Sequence, residues 1–154
     1  MGDGVLTTYT DLLPATSSTP MITMGEGDTP LVKSNRLGRE LGCSELYFKL
    51  EGCNPTGSFK DRGAFNKVLQ LDAAERALGV VTASAGNHAQ AVAYLAQRLR
   101  ISATIAMPEN APLTKVANTR RHGAEVVLSG ATYQDAYDKA MEIQQQQGAT
   151  FVHP

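Results

Sequence analysis

Val80-Val81-Thr82-Ala83-Ser84-Ala85-Gly86-Asn87-His88-Ala89-Gln90 passes from a short apolar run, through small residues, into an Ala-rich stretch. Four apolar or β-branched residues bounded by a small-residue turn read as a buried strand, and the stretch from Asn87 to about Arg100 reads as a helix. The same rhythm continues downstream. Ala103-Thr104-Ile105-Ala106-Met107 is a second strand and Pro112 to His122 a helix with Pro112 near its first turn. Ala124-Glu125-Val126-Val127-Leu128 is a third strand, Thr132 to Gln147 a helix stopped by Gly148, and Thr150-Phe151-Val152 opens a fourth strand. Strands alternating with helices predict an α/β fold, a parallel sheet with helices on both faces. Upstream the pattern is less regular. Leu46-Tyr47-Phe48-Lys49-Leu50 reads as a strand, Asn35 to Leu41 as a short helix ended by Gly42, and Ser58 to about Leu71 as a helix. Met1 to Ser18 is Thr- and Ser-rich with weak periodicity, an arm with a turn near Tyr9-Thr10-Asp11-Leu12-Leu13-Pro14.

The bulk properties exclude several classes of function. The chain has 154 residues and a formal net charge of -1, from 14 basic and 15 acidic residues. No run of Lys or Arg tracks a phosphate backbone, so neither nucleic acid nor an acidic membrane surface is an expected partner. No apolar stretch reaches the roughly 20 residues of a membrane span, and no basic, then apolar, leader opens the chain. Cys43 and Cys53 match no common zinc spacing and read as reduced thiols, which points to the cytoplasm. The histidines are dispersed, and no metal is assigned.

The turn after Val80–Ala83 has the makings of an anion site. Ala85 and Gly86 let a ligand approach the backbone, Ser84 adds a hydroxyl, and the following helix presents unpaired N–H groups and the positive end of its dipole. Open parallel sheets bind ligands outside the carboxyl ends of their strands, where this turn falls. Asn87 reads as an N-cap. His88 has two readings, a general base that titrates near neutrality or a histidine packed at a helix start.

A second segment carries a candidate nucleophile. In Asn54-Pro55-Thr56-Gly57-Ser58-Phe59-Lys60-Asp61-Arg62-Gly63, Ser58 and Asp61 have the spacing of a capping box, with Ser58 as N-cap. Lys60 then falls in the first helical turn, where the dipole disfavours a cation. Beside apolar Phe59 and small Gly63 it is expected to be desolvated, which favours a neutral amine able to attack an aldehyde. Asp61 reads as a capping carboxylate, and Arg62 is left without an assigned partner.

Glu51-Gly52-Cys53-Asn54-Pro55-Thr56-Gly57-Ser58-Phe59-Lys60-Asp61-Arg62-Gly63 resembles the cofactor-lysine segment of threonine synthases, fold-type II pyridoxal-phosphate (PLP) enzymes of the tryptophan synthase β group. Gly25-Glu26-Gly27-Asp28-Thr29-Pro30-Leu31-Val32 resembles their N-terminal segment. From Gly63-Ala64-Phe65-Asn66-Lys67 onward the chain is more similar to threonine and serine dehydratases, with Ser84–Gln90 as their substrate loop; Met107-Pro108 and Phe151-Val152-His153-Pro154 also fit.

The resemblance implies the small domain of such an enzyme over residues 51–154, preceded by an N-terminal arm and a partial large-domain segment over 1–50. It implies PLP as cofactor, Lys60 as the lysine that carries it, Phe59 as an aromatic wall beside its ring, and Asn87 at its phenolic oxygen. Ser84, Ala85, Gly86, Asn87 and His88 would hold an amino-acid substrate. A dehydratase acting on threonine or serine is favoured because that loop touches substrate; threonine synthase, acting on O-phosphohomoserine, is the alternative. The glycine-rich phosphate loop of the family does not appear before Pro154, so the C-terminal half is expected to be absent. A truncated, non-catalytic α/β module is the rival reading, and a second copy or the missing half is the expected protein partner.

Overall fold

The computed structural model describes residues 3–154. Its centre is a four-stranded parallel sheet built from β3 (Val80–Ala83), β4 (Ala103–Met107), β5 (Glu125–Leu128) and β6 (Thr150–Phe151), in the order β5-β4-β3-β6. β3 and β4 lie in the middle, and every residue in them is buried, as expected of strands covered on both faces. Their side chains alternate. Val80, Ile105 and Met107 pack with Phe65, Val68, Val92 and Leu95 of α3 (Lys60–Leu69) and α5 (Asn87–Leu99). Val81, Ala83 and Ala106 face the other way, against Ala136, Ala140 and Ile143 of α7 (Tyr133–Gln147). The period-two alternation thus puts helices on both faces of the sheet. Each fully buried large side chain, such as Phe65, Leu95 or Ile105, contributes roughly 1.5–3 kcal/mol. α6 (Leu113–Arg121) adds Val116 to the α5 side.

The turns that set this register have local causes. α7 starts with a capping box, Thr132 accepting from the Asp135 N–H and Asp135 accepting from the Thr132 N–H, and ends at Gly148 in the left-handed conformation. α4 (Ala73–Leu78) starts with a second box between Asp72 and Glu75. It ends at Gly79, where φ is +87° and a Cβ would lie 2.7 Å from the Ser102 carbonyl oxygen. Only glycine fits that junction, one residue before β3. Sequence periodicity did not foresee α4 as a separate helix.

The region before α3 is organised differently. β1 (Leu31–Lys33) and β2 (Tyr47–Lys49) form a two-stranded antiparallel sheet, Val32 opposite Phe48, with α2 (Asn35–Glu40) between them. Its residues are exposed, Leu31 to 63% and Phe48 to 41%. The N-terminal stretch expected to be an arm contains α1 (Gly4–Thr8) and a 3-10 turn at Thr10–Leu12. Two residues of that expectation, Met1 and Gly2, lie outside the described residues.

Candidate active site

The turn 54–58 is held from within. The Gly57 N–H donates to the Asn54 carbonyl at 2.8 Å, and Gly57 takes a φ of +80°. The expected capping box at Ser58 does not form. α3 begins at Lys60 with Phe59 at its N-cap and no side-chain cap. Ser58 Oγ accepts from the Lys60 N–H at 3.2 Å, so Ser58 satisfies one first-turn donor. Asp61 turns back instead. Its carboxylate accepts from the Thr56 N–H at 2.8 Å and from the Thr56 hydroxyl, fully buried. Burial raises its pKa, opposed by the two bonds from Thr56. Asp61 therefore braces the turn that leads into Lys60 rather than capping the helix.

Lys60 lines a cleft of about 370 Å³ with Phe59, Gly63, Ala64, His88 and His153. Its Nζ stands 5.5 Å from the centroid of the Phe59 ring. Among the described residues no acceptor bonds this amine. The desolvation expected from its neighbours is only partial: Phe59 is 56% exposed, Gly63 is exposed and Lys60 is half-buried. The cause is geometric. Phe59 precedes the helix and projects into the cleft mouth, while the apolar stripe of α3 turns Ala64, Phe65 and Val68 to the core.

Ser84–His88, expected from the sequence to meet a substrate, follow the carboxyl end of β3, the side on which open parallel sheets bind ligands. Gly86, not Asn87, holds the N-cap position of α5, and Asn87 is the first helical residue. Asn87 Oδ1 accepts from Lys115 Nζ of α6 at 3.3 Å, leaving its amide N–H₂ as a donor. Ser84 Oγ accepts from the Gly86 N–H at 3.2 Å, and the Ser84 N–H donates to Ala106 at 3.1 Å. Ala85 packs against the core on the α5 side. The first N–H groups of α5 have no acceptor within the helix and point out of its start. A Cβ on Gly86 would touch only Ser84 Oγ, at 3.9 Å, so the turn is open on that side.

His88 is buried, with its Nε2 3.1 Å from the Val152 carbonyl oxygen. That contact makes Nε2 a protonated nitrogen, and the bond by itself favours the charged ring, against the burial that disfavours it. Burial lowers its pKa most, and the charges of Lys60 and His153 act in the same direction. The packed reading of His88 accounts for this geometry, and its ring also walls the Lys60 cleft. His153, taken as dispersed in the sequence, lines the same cleft through its place after β6. His122 packs edge-on to Tyr94, 5.6 Å between centroids, and does not line this cleft.

Sequence reasoning missed the partner of Arg62. Glu51 takes both arms of its guanidinium, Nε at 2.9 Å and Nη2 at 3.0 Å. Thr29 Oγ1 and Asn54 Nδ2 also donate to it, at 2.7 and 2.9 Å. The Arg62 hydrogen bonds, then that from Thr29, lower the Glu51 pKa to about 2. No local spacing announces a pair that closes across a turn and a helix start.

The residues present fit the aldehyde end of PLP, with an uncommitted amine and an aromatic ring beside it in a cleft that reaches His88 at the start of α5, whereas Ser84, Ala85, Gly86 and Asn87 do not line that cleft. Comparison with known proteins leads to the same chemistry. The family described as pyridoxal-phosphate dependent enzyme matches residues 22–154. An L-threonine ammonia-lyase of Thermotoga maritima is 52% identical over 126 residues, 82% of this chain and 31% of that protein. A catabolic L-threonine dehydratase of Staphylococcus aureus is 45% identical over 82% of this chain and 36% of its own length. Among solved structures, threonine deaminase isoform 2 from Solanum lycopersicum is similar with a TM-score of 0.74 and 40% identity, over 80% of this chain and 34% of that one. Maize serine racemase matches with a TM-score of 0.77 and 38% identity, over 82% of this chain and 38% of its own. The chain thus spans about a third of the length of the curated relatives it matches, and over that span it belongs to the pyridoxal-phosphate dependent enzyme family.

Proposed function

We infer that this chain supplies the lysine-bearing, substrate-facing part of a PLP-dependent lyase that converts threonine or serine to a 2-oxo acid and ammonia. The observation that carries the reading is the meeting of Lys60 with the start of α5 in one cleft. The ammonia-lyase, dehydratase and deaminase reported above favour elimination over the replacement chemistry of threonine synthase. Residues 51–154 act as the small domain. Residues 1–50 contribute the N-terminal segment and part of a larger domain, which the separate two-stranded sheet of β1 and β2 supports. A cytoplasmic enzyme that assembles with further protein, either more of its own length or a second copy, fits the exposed apolar residues of that sheet.

PLP, when bound, supplies an aldehyde for covalent attachment and a ring that withdraws electrons from the substrate Cα. Lys60 would hold the cofactor through Nζ, and its free amine would take the substrate's α-proton at that nitrogen. The first N–H groups of α5 and its dipole bind the α-carboxylate. Asn87, its Oδ1 engaged by Lys115, would offer its side-chain N–H₂ to the cofactor's phenolic oxygen. Phe59 forms one wall, and His88, tied to the Val152 carbonyl, fixes the start of α5 against the residue that follows β6. The net change removes the α-proton and β-hydroxyl as water, and hydrolysis of the product releases the 2-oxo acid and ammonia. Assay of 2-oxo acid from L-threonine and L-serine, with the chain part of its full-length enzyme, tests the reading. Turnover with both, lost in Lys60→Ala, is expected. Turnover that survives Lys60→Ala would remove Lys60 from the chemistry.

A further inference from the structure

Four donors converge on Glu51 from three separate places in the chain: Thr29 Oγ1, Asn54 Nδ2, and Arg62 Nε and Nη2. Asn54 is buried and continues the chain of bonds. Its Nδ2 also donates to the Glu51 carbonyl at 2.8 Å, and its Oδ1 accepts from the Gly27 N–H at 2.9 Å. Gly27 lies close enough to Arg62 that a Cβ on it would sit 3.4 Å from Nη1. Next to it, buried Glu26 accepts from the N–H groups of Val5 and Met24, at 3.2 and 2.8 Å, and from the Thr23 hydroxyl at 3.1 Å. Asn54 opens the 54–58 turn that leads into Lys60, and Arg62 stands two residues beyond Lys60 in the first turn of α3. One carboxylate therefore grips the chain on both sides of the lysine and ties it to the Gly25–Thr29 segment.

We propose that Glu51 is a positioning residue for Lys60: its carboxylate, with Arg62, Asn54 and Thr29, locks the 54–58 turn and the start of α3 in the register that places the Lys60 amine in the cleft. A bidentate arginine–carboxylate pair resists rotation as well as separation, so it constrains α3 about its own axis. A one-residue slip of α3 would swing its residues by about 100° around that axis. The proposal deepens the PLP reading and rests on it for the role of Lys60.

The test uses Glu51→Gln, with Thr29→Val as a milder variant that removes one donor if the first fails to fold. Amide hydrogen exchange is followed by mass spectrometry in residues 55–62 and, as a global control, in α7. Loss of a charge-assisted pair should speed exchange in 55–62 by about tenfold or more while α7 is unchanged. Equal acceleration in α7 would make Glu51 an ordinary stabilising residue and overturn the proposal, as would unchanged exchange in 55–62. In parallel, each protein is incubated with PLP and reduced with borohydride, and the modified lysines are mapped. The unmodified sequence should carry the label chiefly on Lys60, and Glu51→Gln should spread it over other lysines. Label spread evenly in the unmodified sequence would refute the PLP reading, and the exchange measurement would still decide the clamp by itself.

Discussion

Acidification should remove a measurable part of the stability of this chain through Glu51. A carboxyl whose pKa falls from 4.5 to about 2 on folding contributes stability that is complete above the unfolded value and lost as pH falls through the folded one. The full linkage value of such a shift is about 3 kcal/mol, of which about 2 would be gone by pH 3. A quarter of the Glu51 side chain is exposed, and solvent screening reduces the expected contribution to about 1–2 kcal/mol. Asp61 works in the opposite sense. Its folded pKa is raised above 3.8 by burial, so protonating it at low pH favours the folded state. The raw pH profile mixes the two, and the difference between unmodified protein and Glu51→Gln isolates the first. Urea denaturation followed by circular dichroism at pH 7, 5, 4 and 3 should show a gap of about 1–2 kcal/mol at pH 7 that shrinks steadily toward pH 3. A gap that stays constant, or widens, would show that the Arg62 pair does not hold the Glu51 proton off in solution.

Other outcomes follow from the same geometry. Lys60→Ala should abolish PLP labelling at that position yet change stability by only about 0.5–1 kcal/mol, the worth of an exposed cation–π contact with Phe59; a urea titration separates the two effects. Gly86→Val should leave urea stability nearly intact, since a Cβ there meets only Ser84 Oγ at 3.9 Å. In the complete enzyme it should cost on the order of 3 kcal/mol, about a hundredfold in kcat/KM, by obstructing the donors of the α5 start; unfolding with normal site chemistry would make that loop a turn only. His88, held below 6.5 by burial, contributes stability that is present above pH 6.5 and lost as pH falls below it. His88→Gln should flatten the profile in that window, and an unchanged slope in urea melts would contradict the neutral, Val152-bonded ring.

The βα alternation from Val80 to Phe151 was legible because covered strands need unbroken apolar runs, as in Val80–Ala83 and Ala103–Met107, and helices need their own period and stops, such as Gly148. Those are local requirements, each recorded within a few residues. The lysine segment and the Ser84–His88 turn could be singled out for a related reason, since a turn that opens a helix is built from contiguous residues. The capping of α3 could not. Ser58 and Asp61 have the right spacing for a box, but Thr56 competes for Asp61 from inside the turn, and a two-donor site won over a single helix N–H. Nor does any spacing pair Glu51 with Arg62, bring His153 to Lys60, or set Lys115 against Asn87. These contacts join residues that meet only after the sheet has ordered the chain, and each is chosen by which partner the packed core leaves within reach. Local chemistry in the sequence therefore determined the parts of the site, and their mutual placement was decided by the tertiary structure, because hydrogen bonds between distant segments depend on positions that no local pattern encodes.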